Sequence, residues 1–190
     1  MLQEFTDEIR AEIDSKVKLV HTAIHAGIVS FDAAKSRATV KPYGVFMAGS
    51  KAIPYPMIDG VPVIQPVSAA AECGLTVPVK PGDDCLLIVS EQDISSWLDG
   101  MEQDYSLTHD LTSAIALCGL SSKPNSHMSF AGNNDAVRIY SGGTVIDVKK
   151  DCVKITQGGT ELTVSGGAVK VAGNLTVSGN ITYSGTCSKG

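Results

Sequence analysis

For most of its length this chain alternates apolar and polar residues with a period of two, and only its start departs from that rhythm. Leu2, Phe5, Ile9, Ile13 and Val17 recur at spacings of three and four, with acids and lysines between them. Positions so spaced share one face of a helix, so residues 1–17 predict an amphipathic helix of about four turns. Its acids come early and Lys16 and Lys18 late, the order that the helix dipole favours. A helix of this pattern docks either on its own domain or on sister chains.

From Lys18 to Ser90 the pattern predicts strands. Val20–Phe31 and Arg37–Phe46 alternate, joined by a turn at Asp32–Lys35. Val61–Ile64, Leu75–Val79 and Cys85–Val89 follow, the last of them after a turn at Lys80–Asp84. Short strands punctuated by proline and glycine predict a small closed barrel, of the OB-fold kind. Pro54, Pro56, Pro62, Pro66 and Pro78 confine several of these strands to edges or ends, because proline has no N–H to give a ladder. Asp93–Gly100 reads as a short helix, 93–99, with Asp93 as N-cap, apolar Ile94, Trp97 and Leu98, and a glycine stop. Residues 101–134 look irregular, with an apolar stretch at Leu111–Leu120 and then a polar linker from Ser121 to Asn134.

The last third repeats itself. Ala136–Gly190 divides into AVRIYSGG, TVIDVKKD, CVKITQGG, TELTVSGG, AVKVAG, NLTVSG and NITYSG, each a short alternating segment closed by glycine or a charged turn. Self-similarity at so short a period marks a repeat architecture whose units cannot bury their own faces. Each unit offers about two apolar side chains, too few to offset an ordering cost of roughly 1–2 kcal/mol per residue. The missing core must come from copies of the same chain about a shared axis, which makes this stretch one third of an intertwined, trimeric β-prism. Val153, Ile155, Leu162, Val164, Val169 and Val171 are expected to face that axis, and each rung to pair with a neighbouring chain. Seven rungs at the usual ~4.8 Å spacing give a shaft of about 35 Å. The expected fold class is therefore all-β: an N-terminal helix at 1–17, an OB-fold-like barrel at 18–130, and a linker with a triple-stranded β-helix at 131–190.

Composition narrows the function. A net charge of −5 and the lack of a basic run argue against nucleic acid as a partner. The opening MLQEFTDEIR lacks the basic and apolar regions of a signal peptide, and no apolar run approaches the ~20 residues of a membrane span. Five cysteines, Cys73, Cys85, Cys118, Cys152 and Cys187, without a CxxC or Cys/His cluster, read as reduced thiols of a protein made in cytoplasm. His109-Asp110 with Ser106 or Ser113 could be taken for catalytic groups, but no nucleophile elbow or orienting third group accompanies them. Asp59-Gly60 and Asp83-Asp84 lack the alternating oxygen donors of a calcium loop and read as turns. Gly142-Gly143, Gly158-Gly159 and Gly166-Gly167 precede no helix, so they are corner turns and not phosphate loops. The sequence thus offers no catalytic residue, no cofactor site and no metal site. From Val171 onward Lys189 is the only charged side chain, a composition that suits passage through a lipid headgroup layer.

Taken as a set, Ile58-Asp59-Gly60-Val61-Pro62-Val63, Pro81-Gly82-Asp83 with Leu86-Leu87-Ile88, Ser95–Gly100, His109-Asp110 and Ala114–Leu120 carry a resemblance. Over nearly its whole length the chain resembles the central baseplate spike, or membrane-piercing, proteins of contractile-tailed phages and R-type bacteriocins. The resemblance implies an N-terminal OB-fold, a C-terminal triple-stranded β-helix and a homotrimer at the distal end of the tail. It also implies a role without catalysis, in which sheath contraction drives the needle through the host envelope. The implied partners are the baseplate hub protein, the end of the tail tube and the host envelope during piercing, and the implied location is the tail baseplate of a virion or particle. Many members end in a His-x-His pair that holds iron at the tip. Here His21, His25, His109 and His127 all precede the repeats, so no such iron is expected. Cys187, a small apolar plug, a disordered tail or a separate tip protein remain as ways to finish the apex. The alternative function is a trimeric adhesin or tail-fibre segment whose barrel binds a glycan.

Overall fold

The computed structural model describes residues 2–68, 70–182 and 184–186. The chain divides into two units, Met1–Lys123 and Pro124–Gly190.

The first unit opens with helix α1, Leu2–Val17, and every described side chain along it is exposed. Strands β1 (Ala23–Asp32), β2 (Arg37–Pro42), β5 (Ile58–Ile64), β8 (Asp84–Val89) and β9 (Ala114–Leu120) form a closed barrel in the order β1-β2-β5-β9-β8. Two small hairpins stand apart from it: β3 (Val45–Ala48) with β4 (Lys51–Pro54), and β6 (Val67–Ser68) with β7 (Cys73–Gly74). All barrel pairs are antiparallel except β5 with β9. Closure depends on β1, whose ten residues pair with β8 over Ala23–Gly27 and with β2 over Ala26–Asp32. A register break between Ile28 and Ser30 bends the strand between its two partners, as a bulge does.

A second bulge explains Asp59-Gly60. The sequence reads the pair as a turn, but it lies inside β5, where Ile58 faces Val40 and Val61 faces Ala38. Two residues therefore oppose Thr39 alone, and Gly60 takes the left-handed conformation (φ 71°) that such a bulge demands. Pro62 is tolerated where β5 passes from pairing with β2 to pairing with β9 at Val63.

The barrel core gathers Ala26, Ile28, Ala38, Val40, Ile58, Val61, Cys85, Leu87, Val89, Ala114 and Ala116. Large faces small across the β8–β9 ladder, Leu87 opposite Ala116 and Val89 opposite Ala114. That packing explains why β9 escapes a polarity pattern and falls in the stretch that the sequence leaves irregular. Its inward residues are alanines and its outward ones Ile115 and Leu117, so it alternates in size. Conversely, the strand expected at Leu75–Val79 does not form. Gln65 replaces the ladder there, its amide donating to the Val77 carbonyl and accepting from the Val77 N–H, both at 3.1 Å. Val79 still reaches the core.

Helix α2 spans Ser95–Asp99, shorter than expected at its start. Asp93 does not cap it in the usual way; its carboxylate accepts from the Ser95 N–H and hydroxyl and from the Asp104 N–H. Gly100, left-handed at φ 69°, ends the helix as expected.

The second unit begins with helix α3, Ser126–Asn133, inside the segment that the sequence reads as linker. The Asn125 side chain caps it, accepting from the N–H groups of His127 (2.9 Å) and Met128 (3.2 Å). Five strands follow as an antiparallel meander: β10 (Val137–Ser141), β11 (Thr144–Lys149), β12 (Cys152–Gln157), β13 (Thr160–Ser165) and β14 (Ala168–Ala172). Two-residue turns join them, three of them the glycine pairs. Such short turns put each strand beside the next, so the ladder forms within one chain and not between chains as the repeat suggested. The sixth and seventh repeats form no strand over Leu175–Val177 and Ile181, and Tyr183 lies outside the described residues.

Candidate assembly interface

The register of the meander decides what its faces carry. Val137, Val148, Val153, Val164 and Val169 stand directly opposite one another along the ladder, one from each strand. Ile139, Ile146, Ile155, Leu162 and Val171 make a second row beside the first. Side chains two apart on a strand share a face, so all ten lie on one side of the sheet. Among the described residues no apolar side chain of this unit is buried. Val137 and Val169 are 66% exposed and Ile139 51%. Each such side chain stands to gain up to about 1.5–3 kcal/mol on full burial, so the two rows are a surface built to be covered.

The opposite face is polar and already occupied. Arg138, Asp147, Lys154, Thr163 and Lys170 form its central row, cations alternating with an acid and a hydroxyl. Arg138 grips Asp147 with two charge-assisted hydrogen bonds, both 2.7 Å. This bond holds the Asp147 carboxyl below the usual carboxylate range and raises Arg138 further. The guanidinium lies 3.4 Å from the centre of the Phe130 ring, a cation–π contact that seats α3 on the sheet. His127 stacks on Tyr140 with ring centres 3.7 Å apart, and Asn125 Nδ2 donates to the Tyr140 hydroxyl at 3.2 Å. Lys154 pairs with Glu161 at 2.6 Å, and that bond, with a second from the Thr163 hydroxyl, keeps the Glu161 carboxyl low. An open groove beside α3, about 350 Å³, is lined by Phe130, Arg138, Asp147, Lys149 and Lys154 among others. Sequence reading missed this cluster because its parts come from a supposed linker and from alternate strand positions. Asn125 after Pro124 was the available signal, an N-cap type ahead of a helix.

In the barrel, the carboxylates of Asp83, Asp84 and Asp110 are engaged in structure, whereas His109 Nδ1 and Ser113 Oγ are buried without a hydrogen-bond partner. Asp110 does not turn to His109; its Oδ1 accepts from the Thr112 N–H (2.8 Å) and hydroxyl (2.6 Å). His109, left-handed at φ 53°, takes a hydrogen bond from the His21 N–H on its carbonyl and gives its own N–H to Glu91. The Ser106 hydroxyl donates to Asp104, and Ser113 is 1% exposed. Asp83 makes the turn, accepting from the Lys80 N–H at 2.7 Å. Asp84 instead opens β8, its carboxyl held low by the N–H and hydroxyl of Ser122 and by the Tyr43 hydroxyl. Tyr43 reaches it by passing its hydroxyl over Gly27, where a Cβ would fall 2.5 Å from that oxygen. Cys85 and Cys118 face each other across β8 and β9 as free thiols, and burial pushes Cys85 up to about 12. Among the described residues no cluster of three or more His, Cys, Asp or Glu could hold a metal ion. Cys187, weighed for the apex, lies outside the described residues.

Residues 24–119 match the family model described as the phage protein Gp138 N-terminal domain. The match covers half of the chain and follows the barrel from the second residue of β1 almost to the end of β9. No curated protein matches the chain.

Proposed function

The chain belongs to the phage protein Gp138 N-terminal domain family, and from that premise we propose that it is the central spike of a contractile-tail baseplate. Three copies form a needle that pierces the host envelope when the sheath contracts. On this reading the barrel is an OB-fold, supported by its strand order, in which the third barrel strand pairs in parallel with the fifth. It meets the hub protein and the end of the tail tube, while the repeats form the shaft. The role is mechanical and involves no catalysed reaction. As a spike the chain is part of the virion, and no helix among the described residues is long and apolar enough to cross a membrane.

The observation that carries the proposal is the pair of uncovered apolar rows, together with the length of the strands that bear them. Sheets pack face to face about 10 Å apart, so three sheets about one axis each lie about 5 Å from it. A triangle whose sides stand that far from its centre has sides of about 17 Å, which five residues of strand span at ~3.4 Å each. The strands of the meander are five or six residues long. Strands of this length let three sheets close into a prism filled by two apolar residues per strand. The first test is the mass of the full chain in solution by light scattering. A trimer is expected; a monomer at micromolar concentration would overturn the reading.

The adhesin alternative calls for a stacking platform on the barrel. The broad groove there is lined by Ser30, Asp32, Lys35, Arg37 and Asp99 among others, without an aromatic ring, which favours the spike.

A further inference from the structure

The trimer proposed above leaves an apolar stripe on α1 unexplained. Phe5, Ile9, Ile13 and Val17 run along α1, and all four are exposed, Phe5 by 61% and Val17 by 63%. The sequence allows two places for this stripe, the chain's own barrel or sister chains, and the barrel does not cover it. A helix of 16 residues with no packed face is marginal in water. We propose that the three α1 helices of a trimer join in a parallel bundle along this stripe, a second assembly surface independent of the sheets.

Charge complementarity identifies the occupant as copies of the same helix. At 100° per residue, Arg10 and Glu12 fall about 80° to either side of the stripe's midline. In a ring of parallel helices, one flank of each copy always meets the opposite flank of the next. Arg10 of each helix then faces Glu12 of its neighbour, about 3 Å away along the axis, within reach of a guanidinium. An antiparallel pair would set Arg10 against Arg10 and Glu12 against Glu12. Neither residue is committed within its own helix to more than an exposed contact, Arg10 with Asp7 at 3.9 Å and Glu12 with Lys16 at 3.7 Å. The stripe recurs every four residues from Phe5 to Val17, longer than the 3.6 of the helix itself, so the bundle winds right-handed.

This inference rests on the trimer reading, and its test separates the two. Full-length chains carrying Ile9→Cys or, on the far side of the helix, Ala11→Cys are oxidised with copper phenanthroline. Covalent dimers are then scored against the parent chain on non-reducing gels. The bundle predicts cross-linking at position 9 at least about ten times faster than at position 11, a difference of about 1.4 kcal/mol or more in effective encounter. Arg10→Glu in the Ile9→Cys background should slow it several-fold, and adding Glu12→Arg should restore it. Equal rates at positions 9 and 11 in a chain that light scattering finds trimeric would overturn the bundle alone and leave the stripe to a different protein. A monomeric parent chain would overturn the trimer with it. Both cysteine positions are exposed, and far-UV circular dichroism checks that each variant folds.

Discussion

The barrel and the C-terminal sheet are written in the same alternating code, yet one hides its apolar face and the other displays it. Ala26, Val40, Cys85 and Leu87 are 0% exposed, whereas Val137 and Val169, set on one face by the same parity, are 66% exposed. The difference is closure. Strand β1 returns to pair with β8, so the barrel's inner face is enclosed by its own chain. The outermost strands of the meander, β10 and β14, stand at opposite edges and never meet. A period of two thus states which face is to be buried and is silent on which chain will bury it.

The sharpest way to break this contrast is Val164→Asp, at the middle of the valine row. A carboxylate among packed valines has no partner, and its burial is too costly to bear. In a chain that also carries Ile9→Asp, which removes the α1 stripe as a second contact, the mass should fall from the proposed three chains to one while the barrel keeps its own unfolding transition. A double variant that stayed a soluble trimer would show that the rows do not face the axis. Leu87→Ala addresses the other half of the comparison. It opens a cavity opposite Ala116 and should cost about 2–5 kcal/mol in denaturant unfolding of the barrel at any protein concentration. A cost that instead disappeared on dilution would mean that the barrel, too, depends on its neighbours.

A milder probe is acid. The Asp147 carboxyl is depressed in the folded state, so its contribution is fully present above the unfolded value of about 3.9 and is lost as pH falls through the folded one. Circular dichroism of the full chain should show the Pro124–Gly190 unit weakening below about pH 4, and Arg138→Met should flatten that dependence. An unchanged profile in the variant would remove the ion pair as its cause. The smallest effect expected is that of Gly27→Ala. The new methyl lifts the Tyr43 ring, and because the atom that must move is the end of a side chain, stability should hardly change. The readout is the Asp84 carboxyl, which should titrate higher once the Tyr43 hydroxyl leaves it. No change in that titration would mean that Ser122 alone holds it.

Much of this was legible in advance, and the misses have physical causes. The spacing of Phe5, Ile9, Ile13 and Val17 gave α1, and the glycine pairs gave the hairpin turns. Strand β9 was not visible because Ala114 and Ala116 fill space left by Leu87 and Val89, a fact about packing and not about polarity. Helix α3 was not visible because its residues are mostly poor helix formers, and what holds it is the stack of Phe130 on Arg138 from a strand eight residues away. Gly60 read as a turn because bulges and turns ask the same backbone freedom of glycine. The two apolar rows could be suspected from the repeat, but their alignment across five strands depends on every turn having two residues.

Those two-residue turns also set a timetable. Each strand of the meander pairs with the one just before it, so the sheet can zip hairpin by hairpin, each step taking on the order of 1–10 μs. The barrel must bring β1 to β8 and β5 to β9 across about fifty intervening residues, a slower search. The sheet, made after the barrel, is therefore ready almost at once and then waits with its valines in water. On the proposed assembly, what ends the wait is an encounter between chains, so soluble yield becomes a race that depends on how crowded with sister chains the site of synthesis is. Sparse synthesis leaves the rows time to find the wrong surface, and dense synthesis favours the right one.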